Sequence, residues 1–341
     1  VYMLVYVDDI ILTGNSPSLL QKLIDQLINE IFSLKDLGTL DYFLGIEVKS
    51  LSDGRLLLSQ QKYISDLLTK VKMEDSKGIS TPMIGGQQLA KAGTLFDDPT
   101  LYRSVVGALQ YATITRPEIA FSVNKVSQFM CSPMEEHWKV VKRILRYLKG
   151  TIKHGLVFAP ARSTSSFNLT AFTDADWAVD PNDRGSTSAA CIYLGPNMVS
   201  WWSKKQLLVA RSSTEAEYRA LAQAVTEVLW IQSLLGELKV HLNTPIVLCD
   251  NQSTVALSHN PILHSRSKHM ELDIFFVREK VISKALVVSH VPAQHQYANV
   301  LTKALSPKRF LFLCSKLNVA DPSAMFHPLE LVGGVLEKRL G

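Results

Sequence analysis

Cysteine is scarce: four occur in 341 residues, at 131, 191, 249 and 314, and none falls in a Cys-x-x-Cys or Cys/His spacing. No zinc module or disulfide framework is encoded, and the expectation is a reduced, intracellular protein. No secretory signal is visible. The stretch from Gly185 to Ser203 lacks charge but carries Ser, Thr, Asn and Pro, so it reads as strands and not as a membrane span. Internal repeats are lacking as well. Neither sign of charge dominates. The net charge of +5 and the isoelectric point near 8.9 suit a polyanionic partner without requiring one. What is present is ordinary globular composition, 47% hydrophobic over 341 residues, enough for two or three domains and a sizeable core. Val1 lies inside an apolar strand pattern, so a piece of a longer polypeptide is expected.

The apolar periodicity gives a mixed order of strands and helices. Two β-rich runs flank Asp8-Asp9 and read as a hairpin. Ser16-Pro17 opens a helix whose buried stripe would be Leu20, Leu23, Ile24, Leu27, Ile28 and Ile31. A second hairpin surrounds Ser52-Asp53-Gly54, a helix covers 61–71, and the Gly- and Pro-rich stretch 78–99 reads as a loop. Helices follow near 101–113, 117–130 and 133–149. Residues 160–166 lack periodicity and mark the expected boundary between a first unit, 1–159, and a second, 167–305. The second unit reads as three strands, a helix over 214–238, a strand over 246–249, further helices, a short strand over 287–291 and a last helix over 296–305. Residues 306–341 read as an uninformative tail. Such an order implies α/β and α+β architecture, with helices packed on a sheet.

Three acids stand at ends of these elements. Asp174 ends the apolar run 167–173, Asp250 ends the run 246–249, and Glu217 lies in the first turns of the long helix. Carboxylates delivered to one point suit hard divalent cations, which take oxygen ligands. Two such ions about 4 Å apart can activate a water and stabilise a leaving oxygen in phosphodiester hydrolysis. Each acid alone has a plainer reading. Thr214-x-x-Glu217 is also a capping box. Asp174 could be a solvated turn residue, and Asp250 could cap a helix. The sequence leaves these alternatives open.

An ordered series of segments resembles the ribonuclease H domain of copia-type retrotransposon Pol polyproteins: Phe172-Thr173-Asp174-Ala175-Asp176-Trp177-Ala178, Val199-Ser200-Trp201-Trp202-Ser203-Lys204-Lys205-Gln206, Ser212-Ser213-Thr214-Glu215-Ala216-Glu217-Tyr218, Asp250-Asn251-Gln252 and Lys268-His269-Met270-Glu271. The resemblance implies a ribonuclease H-like mixed sheet with flanking helices over 167–305. It also implies Mg²⁺ (or Mn²⁺) on Asp174, Glu217 and Asp250, and cleavage of RNA paired with DNA. His269 would assist weakly, its plainer reading being a packing histidine. The family pattern Gln-x-Ala-Asp-x-x-Thr-Lys appears as Gln296-Tyr297-Ala298-Asn299-Val300-Leu301-Thr302-Lys303, so the fourth ligand position is Asn299. An amide offers an oxygen without charge, and slower cleavage is expected.

Tyr6-Val7-Asp8-Asp9 resembles the reverse-transcriptase hairpin, with Tyr6, Asp8 and Asp9 as the polymerase-motif residues. Segments 35–38, 42–48, 115–118 and 143–151 resemble the palm, thumb and connection of the same family. Residues 1–159 are therefore expected to be a truncated palm, thumb and connection. The isolated chain is not expected to copy RNA into DNA. On helix 133–149, Lys139, Lys142, Arg143, Arg146 and Lys149 form a basic face that could follow a phosphate backbone, or simply be a solvated charged face.

The expected partners are an RNA/DNA hybrid and other parts of the Pol polyprotein, with no membrane. By family the location is a cytoplasmic retrotransposon particle. One rival reading is a catalytically decayed remnant that only binds nucleic acid, favoured by Asn299. Another is an integrase, against which stand the absent His/Cys module and the upstream hairpin.

Overall fold

The computed structural model describes residues 1–7, 9–28, 35–161, 166–260 and 270–322. The first hairpin pairs β1 (Tyr2–Tyr6) with β2 (Asp9–Thr13) in antiparallel register, Tyr6 facing Asp9. Helix α1 (Pro17–Gln26) starts where the sequence says, with Ser16 Oγ accepting from the Leu19 amide at 3.5 Å and Pro17 in the first turn. Its expected stripe is only half-buried at Leu20, Leu23, Ile24, Leu27 and Ile28, and Ile31 lies outside the described residues. No α1 residue is fully buried, because little of the described chain packs on this helix.

A five-stranded antiparallel sheet follows, in the order β12-β6-β5-β4-β3. It comprises β3 (Tyr42–Phe43), β4 (Ile46–Ser50), β5 (Leu56–Ser59), β6 (Gly155–Phe158) and β12 (Val319–Ala320). Between β5 and β6 run α2 (Gln61–Lys70), α3 (Pro99–Ala112), a 3-10 turn at Pro117–Ile119, α4 (Ala120–Ser127) and α5 (Glu135–Gly150).

The larger sheet has the order β11-β10-β7-β8-β9. Its strands are β7 (Leu169–Asp176), β8 (Thr187–Leu194), β9 (Asn197–Lys205), β10 (Ile246–Cys249) and β11 (Val287–His290). β10 is parallel to both β7 and β11, while β8 is antiparallel to β7 and β9. Helices α6 (Ser213–Glu237), α7 (Gln252–His259) and α8 (Glu271–Ile282) complete this part. The mixed sheet with flanking helices matches the architecture expected from sequence.

Each face of this sheet has its own core, as the period of two along a strand requires. Leu169, Ala171, Ala190 and Ile192 pack with Tyr218, Leu221, Val225 and Val228 of α6 and Ile274 and Val277 of α8. On the opposite face Phe172, Ala189, Cys191 and Tyr193 share one core with Leu109, Val126, Ile144 and Leu145 from α3, α4 and α5. The apolar core therefore crosses the boundary expected at 160–166, of which residues 162–165 lie outside the described residues. Trp201 ties β9 to the end of α3, its Nε1 donating to the Thr113 carbonyl at 3.1 Å.

Two expectations at the C-terminal end are corrected. Residues 307–320 are not featureless: Pro307 opens α9 (Pro307–Lys316), whose Phe310, Leu313 and Cys314 are buried at helical spacing, and β12 then pairs with β6. Second, no α-helix covers 296–305. A 3-10 turn over Tyr297–Leu301 stands there, closed by bonds that compete with an α-helix. Gln296 Oε1 accepts from the Ala298 amide at 3.2 Å, and the Thr302 amide donates to the Asn299 carbonyl at 3.4 Å.

Candidate metal centre

The C-terminal ends of the parallel strands β7 and β10 and the first turns of α6 approach one another, with Glu217 and Asp250 in one tight group and Asp174 outside it. Oxygen atoms of Glu217 and Asp250 and the Sγ of Cys249 all lie within 4.8 Å of one another. Asp174 is 1% exposed and Glu217 6%, so both carboxyl groups sit where water screens charge little. Asp174 stands close enough to act electrostatically on Glu217 and on Asp250.

Local structure decides between the two readings of Glu217. The cap of α6 is Ser212, whose Oγ accepts from the Glu215 amide at 3.2 Å, while Glu215 Oε2 accepts from the Arg211 amide at 2.8 Å. The capping role thus belongs to Glu215, the acid three residues after the cap. The capping box read at Thr214 and Glu217 is not formed, and Glu217 is left to face the cluster. Asp250 is likewise no cap. Asn251 caps α7, its Oδ1 accepting from the Thr254 amide at 2.9 Å.

The carboxylates carry the electrostatic signature of crowding. Burial, then Asp174 and Asp250, push Glu217 up to about 9. Burial and Asp174 raise Asp250, against the opposing pull of Lys303 and a hydrogen bond from Gln296. Asp176, two residues along β7 and so on the same face as Asp174, is raised by burial and by Asp174 and pulled down by Lys303 and Lys125. Asp174 itself is held by Thr302 and Lys303. Thr302 Oγ1 donates to its Oδ2, and Lys303 Nζ pairs with that oxygen at 3.3 Å.

Oxygen donors on a buried, mutually repelling set fit a hard divalent cation. Asn299 adds a further mark: its Oδ1 is buried without a hydrogen-bond partner, while its Nδ2 donates to the Ala293 carbonyl at 3.2 Å. Asp174, Glu217 and Asp250 are the residues that would hold such an ion. Sequence reasoning missed Cys249, Asp176, Thr302, Lys303 and Gln296. Asp176 was readable from its even spacing to Asp174 on one strand, and Gln296, Thr302 and Lys303 as fixed letters of the family pattern around Asn299; their contacts, and Cys249, become visible only through tertiary packing.

The remaining candidates are placed as follows. Asp8 and His269 lie outside the described residues. Tyr6 and Asp9 face each other across the first hairpin. On α5, Lys139 pairs with Glu136, Arg143 Nη2 donates to Thr81 Oγ1 at 2.9 Å, and Arg146 Nε donates to the Lys77 carbonyl at 2.9 Å. Two of the five expected phosphate contacts are thus spent on the loop at 77–81. Lys142 is exposed and Lys149 half-buried.

Such a mixed α/β molecule, with an acidic centre at the strand ends, defines a class that comparison with known proteins makes specific. Residues 1–85 match the family described as reverse transcriptase (RNA-dependent DNA polymerase). The Pol polyprotein from transposon RE1 of Arabidopsis thaliana is 49% identical over 321 residues, covering 94% of this chain and 22% of that protein. A putative transposon Ty5-1 protein of Saccharomyces cerevisiae is 32% identical over 231 residues, which is 67% of this chain and 74% of that protein. Among solved structures, the N-terminal RNase H domain of a Mycobacterium tuberculosis protein aligns with 44% of this chain and 98% of its own, at 13% identity and a TM-score of 0.31, too low to assign a fold. The chain belongs to the Pol polyprotein family of copia-type retrotransposons. It spans 22% of the length of the RE1 polyprotein. Among the described residues no helix is long and apolar enough to cross a membrane.

Proposed function

We propose that this chain hydrolyses the RNA strand of RNA/DNA hybrids with Mg²⁺ or Mn²⁺. The observation that carries the reading is the convergence of Glu217 and Asp250 within 4.8 Å, with Asp174 beside them and the capping duties assigned to Ser212, Glu215 and Asn251. A divalent cation bound there supplies an activated water and neutralises charge on the leaving oxygen. Asp174, Glu217 and Asp250 hold that ion from β7, α6 and the end of β10. Thr302 fixes the rotamer of Asp174 through its hydroxyl, and Gln296 anchors the 297–301 turn by donating to the Thr173 carbonyl at 2.9 Å. The duplex is read by A-form shape and 2′-hydroxyls more than by base sequence. Exposed Lys142 and half-buried Lys149 are the groups of the α5 basic face best placed to meet backbone phosphate. By family, the chain would work in a cytoplasmic retrotransposon particle beside other parts of the polyprotein.

Asn299 favours a second reading, a nucleic-acid-binding remnant without cleavage, because an amide stands where the family pattern has an acid. The two separate in one assay. The nuclease reading expects Mg²⁺-dependent cleavage of a labelled hybrid, lost in Asp174→Asn, with single-stranded RNA and duplex DNA left intact. Hybrid binding without cleavage at any Mg²⁺ or Mn²⁺ concentration assigns the chain to the remnant.

A further inference from the structure

Lys303 is a cation that acts on all the acids of this centre. Its Nζ lies 3.3 Å from Asp174 Oδ2, and its side chain is 36% exposed against 2% for the aspartate. The same oxygen accepts the Thr302 hydroxyl, so Oδ2 is engaged by two neighbouring residues of one turn. Lys303 also acts on Asp176, Glu217 and Asp250. Among the described residues Lys125 of α4 also acts on Asp176 and Asp180 and is itself disfavoured by burial, while Lys205 pairs with Asp180 at 2.6 Å. For Lys303, burial opposes the ammonium, yet Asp174, Asp176 and Asp250 outweigh it and hold its charge in place.

We infer that the Lys303 ammonium is a displaceable counter-ion that competes with the divalent cation for Asp174 and so sets the cation concentration at which the centre fills. The inference rests on the carboxylate cluster being a metal centre and adds what regulates its filling. An incoming ion that binds Asp174 meets the repulsion of the ammonium already paired with Oδ2, and full coordination requires that ammonium to move away. The partly exposed side chain gives Lys303 solvent to swing into. Competition of this kind lowers apparent affinity by the population of the paired state. It also keeps clustered acids from destabilising the fold when divalent ions are scarce, since like charges held in a poorly screened site repel.

The test is calorimetric titration of the full chain with Mn²⁺ and with Mg²⁺, comparing the parent, Lys303→Met, Lys303→Gln and Lys303→Arg. Removing the charge should tighten binding by at least roughly tenfold, the effect of one unit charge on a divalent ion about 6 Å away even under water-like screening. Lys303→Arg should stay near the parent. Thermal melts supply the second readout. Lys303→Met and Lys303→Gln should melt lower than the parent in chelator and gain more from added Mg²⁺ than the parent does. A purely structural lysine would lower both melts alike and leave affinity unchanged. Parent binding with unchanged or weaker affinity in both neutral variants overturns the counter-ion role and leaves the metal centre standing. No binding in any of the four proteins removes the metal centre itself, and the counter-ion role with it.

Discussion

The Cys249 thiol donates to Glu217 Oε2 at 3.7 Å, from a strand end onto the second turn of a helix. This contact places a fully buried sulfur against a carboxylate that burial and two neighbouring aspartates already disfavour as a charge. The amide of Asn251 points at the same sulfur at 3.4 Å. The pair shows how closely β10 and α6 approach at the centre, and it makes Glu217 the group whose protonation should be felt most in the stability of the fold.

Glu217 stands at about 9 in the folded chain against an ordinary value of 4.5. Between those values the folded form holds a proton that the unfolded form has lost, so stability falls as pH rises through the window. His137 and His154, both pushed down chiefly by burial, act in the opposite sense, but only below the ordinary histidine value of about 6.5. Cys191, Cys249 and Cys314, all pushed up by burial, add a fall of the same sign as pH nears the ordinary thiol value of about 8.5. Between about pH 6.5 and 7.5 the glutamate should therefore dominate, with a slope of at most about 1.4 kcal/mol per pH unit from this one group. Thermal melts in chelator should show a midpoint that falls from about pH 6.5 to about pH 7.5. Glu217→Gln should remove most of that fall, and saturating Mg²⁺ should flatten it by favouring the charged carboxylate.

Leu145 of α5 is fully buried in the core that also contains Phe172, Cys191 and Tyr193 of the large sheet. Leu145→Ala should cost roughly 2–5 kcal/mol, the range for emptying a buried leucine site. Because that core is shared, urea unfolding followed by Trp201 and Trp202 fluorescence on β9 should coincide with the loss of helical circular dichroism. A sheet that unfolds in a separate transition, indifferent to Leu145, would contradict the shared core.

Arg116 and Glu118 form an ion pair at 2.7 Å with both side chains fully buried. Arg116 also donates to the carbonyl and hydroxyl of Thr151, and Tyr147 donates to Glu118 Oε1 at 3.2 Å. Glu118→Ala strands a buried guanidinium and should destabilise by roughly 3–5 kcal/mol, whereas the paired replacement Arg116→Met with Glu118→Leu should recover much of that loss. Denaturant midpoints of the three proteins check the ordering.

What the sequence made legible follows from how local each signal is. Ser16-Pro17 starts α1 and the even spacing along β7 sets its faces, because both depend on neighbours in the chain. Asp174, Glu217 and Asp250 were readable as strand-end and helix-start acids for the same reason. The rival roles of Glu217 and Asp250 could not be settled locally. Thr214-x-x-Glu217 and Ser212-x-x-Glu215 both fit a capping box, and only the helix start at Ser213 chooses the second. Lys303 reaches Asp174 across 129 residues of sequence, counting from the numbers of the paired side chains, and no spacing rule encodes such a meeting. A 3-10 turn stands at 297–301 in place of the expected helix because Gln296 and Asn299 bond locally in ways that apolar periodicity ignores. On α5 the basic face was visible, but its engagement by Lys77 and Thr81 depends on a loop folding back over it.

The account depends most on distant carboxylates gripping one divalent cation. Crystals of the chain soaked in Mn²⁺, measured for anomalous scattering, address this directly. The account predicts a peak within coordination distance of Asp174, Glu217 and Asp250, absent from Asp174→Asn crystals. A Mn²⁺ peak elsewhere, with those three side chains untouched at saturating metal, would contradict it.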